Sequence, residues 1–278
     1  MRNDPTLRRL IPVTPLRHFY DRLRDFESQS FHREALRECL RRPDQLQKLI
    51  AASVRHFGLY DNREETFHDR IPGLTAARAE NSDLANRTLR LMALGAVGVP
   101  SHPALELKFD FVDYDVSPIR TTESEFENGI PATGSGRGGV DALLAARDGR
   151  LPIIGELKAD TDRNPFLGFI QSLTYAVELS STSQRSRLEA AYPKRFAWPE
   201  RGPYIDIALL LIRYPNDPAK VEFLKLVRGL VEKLAVPDTP FSHLVRRVLC
   251  LRTEMTTPES VEFAVEFVVP GSVTPPSG

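Results

Sequence analysis

The chain has 278 residues, 41% of them hydrophobic, and 37 basic side chains against 37 acidic ones, which is enough apolar material for one sizeable core. A formal net charge of zero leaves no overall field to draw the molecule onto nucleic acid or a membrane surface, so any such binding has to be local. Cys39 and Cys250, far apart in sequence, support neither a disulfide framework nor a zinc site, and the histidines show no paired spacing that would hold a transition metal.

The opening MRNDPTLRRLIPVTPLRHF is charged, broken by prolines and without a signal-peptide core. Three amphipathic helices follow in RHFYDRLRDF, FHREALRECLRR and PDQLQKLIAASVRHFG, where apolar residues recur at three- and four-residue spacing. A polar connector leads to NSDLANRTLRLMALGAVG, read as a longer helix capped at Asn81 and Ser82. Beyond Pro100 the period changes to two. LELKFDFVDYDV alternates as a half-buried strand does, but Asp110, Asp113 and Asp115 do not all share a face, which predicts a bulge near Val112. The segment from Ser117 to Gly139 is rich in turn formers and reads as a long loop or lid.

Charge is unevenly spread. Residues 1–100 carry 17 basic and 13 acidic side chains, whereas residues 101–163 carry 7 and 12. The acidic excess surrounds a hairpin, GGVDALLAARDGRLPIIGELKA, whose Asp148-Gly149 suits a two-residue type I′ turn. That turn sets Asp141 opposite Glu156, with Lys158 on the same face as both. Pro152 then falls opposite Ala145 and, lacking an N–H, predicts a bulge or a one-residue adjustment. Two opposed carboxylates in an apolar sheet require a positive partner: Lys158, a divalent cation such as Mg²⁺ or Mn²⁺, or both. A plain salt bridge at a strand end is the alternative.

The next helix, NPFLGFIQSLTYAVELSS, starts with Asn164 as N-cap and Pro165 in its first turn. Most of its circumference is apolar, and its one polar stripe is Gly168, Gln171, Tyr175 and Glu178. A buried helix has to aim such a stripe at something polar, and the carboxylates are the nearest candidate.

These residues resemble the PD-(D/E)XK nuclease superfamily, the restriction-endonuclease-like phosphodiesterases: Asp141 on one core strand, Glu156-Leu157-Lys158 as the ExK element on the next, and Gln171 on the following helix. The likeness covers about residues 79–215 and departs from the pattern at Val140, where the family's literal motif has proline. It implies that Asp141 and Glu156 ligate Mg²⁺ or Mn²⁺. Lys158 would then orient or activate the attacking water and stabilise the phosphate, with Gln171 supporting it. In that pattern an acid on the first core helix is often a further ligand, for which Glu80 and Asp83 are candidates; Glu123, Glu125 and Glu127 in the long loop are alternatives, or else solvated surface acids.

A substrate surface is expected in QRSRLEAAYPKRFAWPERGPY, where Arg185, Arg187, Lys194, Arg195 and Arg201 lie among Tyr192, Phe196, Trp198 and Tyr204, because bases stack on aromatics while cations grip phosphates. The competing reading is a solvated connector with its aromatics in the core. The run Ile207–Ile212 reads as a later core strand, too short to span a bilayer, and KVEFLKLVRGLVEKL, RRVLCLRT and SVEFAVEFVV as a helix and two strands extending the core.

The expectation is therefore an α/β protein: a helical region over residues 1–78, and a restriction-endonuclease-like mixed sheet flanked by helices over residues 79–278. The expected activity is metal-dependent hydrolysis of nucleic acid, DNA rather than RNA, by a cytoplasmic protein with no membrane partner, acting as a homodimer or as a component of a larger complex. The alternative is an inactive nuclease-like module that binds nucleic acid or a protein. A carboxylate-pair glycosidase is disfavoured, because directly opposed cross-strand acids lie nearer than the ~5 Å or more such enzymes use.

Overall fold

The computed structural model describes residues 16–26, 28–60, 84–95, 97–98, 109–116, 118, 139–159, 164–256 and 261–270. Helices α1 (Leu16–Asp25), α2 (Gln29–Arg41), α3 (Pro43–Tyr60) and α4 (Leu84–Ala93) come first. They lead into the two-residue strand β1 (Val97–Gly98), then β2 (Phe109–Val116), β3 (Val140–Ala146) and β4 (Pro152–Lys158). After α5 (Pro165–Leu179) and α6 (Thr182–Ala191) come β5 (Ile205–Ile212), α7 (Pro218–Leu234), the single-turn α8 (Pro240–Leu244), β6 (Val245–Thr256) and β7 (Val261–Pro270).

The strands form one mixed sheet in the order β1, β7, β6, β5, β4, β3, β2. β2, β3 and β4 run as an antiparallel meander, β5 and β6 continue parallel to β4, and β7 returns antiparallel to β6. β5 lies between two parallel neighbours and all eight of its residues are buried, which is why IDIALLLI reads as a continuous apolar run instead of an alternating one.

Alternation along the other strands sorts the core. Leu143, Ile154, Leu209, Leu211 and Cys250 face α5 and α7, together with Phe19 and Leu23 of α1, Leu36 of α2 and Ile50 of α3. Ala142, Ile153, Leu157, Leu210 and Leu251 face the other way, with Leu89, Leu91 and Met92 of α4. The described part of the N-terminal helical region thus shares the core of the sheet's first face. Ser53 of α3 ties it together locally, accepting from the Leu16 N–H at 2.7 Å where α1 begins and donating to the Leu49 carbonyl at 2.7 Å. Cys39 and Cys250 are free and buried, and burial pushes the Cys39 thiol up to about 12.

The bulge expected near Val112 is present, as a register shift between Phe111 and Asp113. Three other expectations are corrected. The helix expected to run through Gly98 stops at Ala93: Gly95 takes φ +74°, and Val97–Gly98 pairs in parallel with β7. The hairpin turn spans Arg147–Arg150, with positive φ at Gly149 and Arg150 instead of at Asp148 and Gly149. Both loops share one midpoint, so the register is unchanged and Ala142 still pairs with Gly155 and Ala145 with Pro152.

No adjustment is needed at Pro152. Ala146 N–H donates to the Leu151 carbonyl at 2.9 Å, making that the hydrogen-bonded pair and Ala145/Pro152 the wide one, where no donor toward β3 is required. Asn81, Ser82, the carboxylate candidates Glu80, Asp83, Glu123, Glu125 and Glu127, and most of the Ser117–Gly139 segment lie outside the described residues. Among the described residues, no helix is long and apolar enough to cross a membrane.

Candidate active site

The hairpin register carries Asp141 and Glu156 to the same end of β3 and β4, on the α5 face. The Asp141 carboxylate, half-buried, reaches across the strand pair and accepts the Leu157 N–H at 2.8 Å. Glu156 and Lys158 are 1% and 3% exposed, and Lys158 Nζ lies 2.9 Å from Glu156 Oε1. An isolated charge at that depth is costly, so each one fixes the ionised state of the other.

Helix α5 completes the set. Its N-cap is the one expected: Asn164 Oδ1 accepts from the N–H groups of Phe166 and Leu167 at 3.1 and 3.0 Å, a cap that contributes about 1 kcal/mol. Asn164 is itself held by His32 of α2, Nδ2 to Nδ1 at 2.5 Å. His32 Nε2 lies 2.8 Å from the Leu23 carbonyl; a carbonyl only accepts, so the ring is the Nε2–H tautomer and its Nδ1 accepts from Asn164.

From this anchored start the polar stripe runs toward the strand ends. Gln171, the one residue of α5 that is not fully buried, accepts from Lys158 Nζ at 3.4 Å. Gly168 permits close approach: a Cβ there would sit 3.0 Å from Lys158 Cε and 3.5 Å from Glu156 Cγ, so the lysine side chain would have to give way slightly. Gly168→Ala is expected to leave stability within about 1 kcal/mol of wild type, since alanine's helix preference offsets the crowding. Displacement of the ammonium should meanwhile slow any reaction that uses Lys158 roughly tenfold. Melting curves and cleavage rates of the variant beside wild type check this.

The other half of the stripe meets a partner that the sequence reading missed. Arg17 of α1 makes a two-pronged pair with Glu178, Nε to Oε1 and Nη2 to Oε2 both at 2.9 Å, and its guanidinium lies 4.9 Å from the Tyr175 ring centre. Burial opposes the Arg17 charge, but Glu178 and Tyr175 outweigh it and its pKa is raised. Tyr20, one turn along α1, is pushed above the ordinary tyrosine value by burial first and then by the Glu156 charge. Helix α1 is therefore a wall of the site. The available signal was Arg17 and Tyr20 at i, i+3 beside the buried arc of Leu16, Phe19 and Leu23.

The expected substrate surface is not brought to the carboxylates. Ala197 N–H donates to the Arg150 carbonyl at 2.9 Å and Arg150 Nη1 to the Lys194 carbonyl at 3.0 Å, which sets Lys194 and Arg195 beside the hairpin turn, at the opposite end of β4. Both are exposed, whereas Arg187 is 6% exposed. Arg185 stacks 4.3 Å from the Tyr204 ring centre and 5.8 Å from that of Trp198. Phe196 is buried, and Tyr192 donates to Asp113 Oδ2 at 2.6 Å. The aromatics are thus engaged with the protein itself.

The donor chemistry of Asp141 and Glu156 suits a hard cation. Mg²⁺ keeps several waters and needs only one or two carboxylates from the protein. No group of three or more His, Cys, Asp or Glu residues that could hold a metal occurs among the described residues. Comparison of the chain with protein-family models, curated proteins and solved structures finds no match in any of the three.

Proposed function

We propose that this chain is a divalent-metal-dependent phosphodiesterase acting on nucleic acid, DNA in preference to RNA, with a restriction-endonuclease-like core. The observation that supports it is the convergence of Asp141, Glu156, Lys158 and Gln171 at one end of the β3–β4 pair, against a glycine of α5 that makes room for them. These are the residue types, in the chain order, of the PD-(D/E)XK pattern.

In this reading Asp141 and Glu156 would hold Mg²⁺ or Mn²⁺, which supplies an activated water and a Lewis acid at the phosphoryl oxygens. Lys158 holds its proton beside Glu156 and presents positive charge where the phosphate gains negative charge. Gln171 accepts from the ammonium and fixes its direction. Asp141 is braced by the Leu157 N–H.

One observation favours a second reading. Glu156 and Lys158 are almost wholly buried, as in a structural ion pair inside a module that binds without turnover. The experiment that separates the two is a cleavage assay with Mg²⁺ or Mn²⁺ on single- and double-stranded DNA and RNA, linear and circular. The hydrolytic reading predicts cleavage that EDTA stops. Absence of cleavage on every substrate by the folded protein would give the second reading the case.

A further inference from the structure

A second site opens where α7 leans over β6 and β7. The cleft holds about 200 Å³, less than a whole drug-sized ligand needs and enough for a phosphate with part of its sugar. Its floor includes Tyr214 and Phe267, each 5% exposed. Its rim carries Lys225 and Arg228, three residues apart on the exposed side of α7, and Arg252 from β6. Against these three cations stand Glu266, 2.5 Å from Arg252 Nε, and Glu232, 2.8 Å from Arg228 Nε. The excess is positive, in a concavity with an aromatic floor.

Its place in the sheet matters as much. Lys158 registers with Leu211, and Leu211 with Arg252, so Arg252 stands in the same row as Lys158, about 10 Å away at two strand spacings. The side-chain period places all three on the α5–α7 face. The row lies toward the carboxyl ends of the parallel strands β4, β5 and β6, the end at which open α/β sheets bind ligands.

We infer that this cleft binds the phosphate of a nucleotide unit, with Lys225, Arg228 and Arg252 as the cationic contacts. Naming a nucleotide rests on the phosphodiesterase reading above; the cleft's preference for a phosphate does not. The unit is either a free nucleotide or one link of a strand that continues toward Lys158.

The test is binding in EDTA, which silences any metal-dependent turnover, with two probes: ADP by calorimetry and a labelled single-stranded hexadeoxynucleotide by fluorescence anisotropy across salt concentrations. The double variant Lys225→Ala/Arg228→Ala changes only exposed side chains, and Lys48→Ala on α3 is the charge control. The double variant should weaken binding at least tenfold and, for the single-stranded oligonucleotide, lower the slope of log affinity against log salt by about 1.4. Loss confined to ADP identifies a free-nucleotide site, and loss with the oligonucleotide a strand subsite. Equal affinity for both probes in wild type and double variant, an equal loss in Lys48→Ala, or no binding by wild type overturns the proposal. Each result stands whether or not the protein cleaves.

Discussion

Replacing Lys158 with methionine is expected to destabilise the protein by roughly 3–5 kcal/mol, because it strands the Glu156 carboxylate in a buried site without its cation. Glu156 is 1% exposed and 2.9 Å from the Lys158 ammonium. Glu156→Gln should cost a similar amount for the converse reason. The double change Lys158→Met/Glu156→Gln should be less destabilised than the two single changes added together, since it removes both charges at once. Urea midpoints for the four proteins measure this coupling. Simple additivity would mean that the two charges do not depend on each other. Under the proposed hydrolytic reading, cleavage separates structure from chemistry: all three variants should lose at least about 10²-fold in rate, on the scale of removing a group that stabilises developing charge. The double variant should stay inactive even where its stability recovers.

The second large effect lies at the other end of the sheet. Asp206 on β5 is 0% exposed, accepts hydrogen bonds from Arg246 at 2.6 and 3.0 Å, and lies 2.9 Å from Arg247 Nε as an ion pair. Consecutive residues on a regular strand point to opposite faces. Both arginines address one carboxylate because the register shifts between Ile205 and Asp206, pairing Asp206 with Arg247. The same guanidiniums reach Asp148 in the hairpin turn, Arg247 at 2.7 Å through both Nη atoms.

Asp206→Asn removes the fully buried carboxylate that both arginines face. It should cost roughly 3–5 kcal/mol and lower the melting temperature by roughly 10 °C. Under the proposed function, cleavage measured well below that temperature should change little, because Asp141 and Glu156 stand at the far end of β4. A melting temperature within a degree of wild type would contradict this account of the cluster. Acid should act in the same direction. Burial alone would raise the Asp148 carboxyl, but its bonds to Arg247 and the charges of Arg247 and Arg246 outweigh burial and hold it below the ordinary carboxylate value. A depressed carboxylate contributes stability above its unfolded pKa, about 4. That contribution is lost as pH falls through the lower folded value.

The elements that carry the site were legible in the sequence because local rules governed them. Asn164-Pro165 starts α5 as capping chemistry requires, and the hairpin register followed from the midpoint of Asp148-Gly149 even though the turn itself proved longer. The Val112 bulge followed from three aspartates that cannot share a face. What stayed hidden was non-local. Nothing near Glu178 in the chain announces Arg17, 161 residues away, so the lower half of the α5 stripe was assigned to the carboxylates instead of to α1. The basic and aromatic run from Gln184 to Tyr204 misled in the opposite way, since composition does not show that its aromatics face the protein or that it packs beside the hairpin turn. The cleft under α7 was equally out of reach, because Lys225 and Arg252 come together only once β5 and β6 pair in parallel.

If Asp141 and Glu156 hold one divalent cation beside Lys158, as proposed, titration of the protein with Mn²⁺ followed by electron paramagnetic resonance will show it. Wild type should bind Mn²⁺, Mg²⁺ should compete, and Asp141→Asn should abolish that binding while its circular dichroism spectrum and melting curve stay close to wild type. Absence of Mn²⁺ binding by the folded wild-type protein, or equal binding by Asp141→Asn, would contradict it.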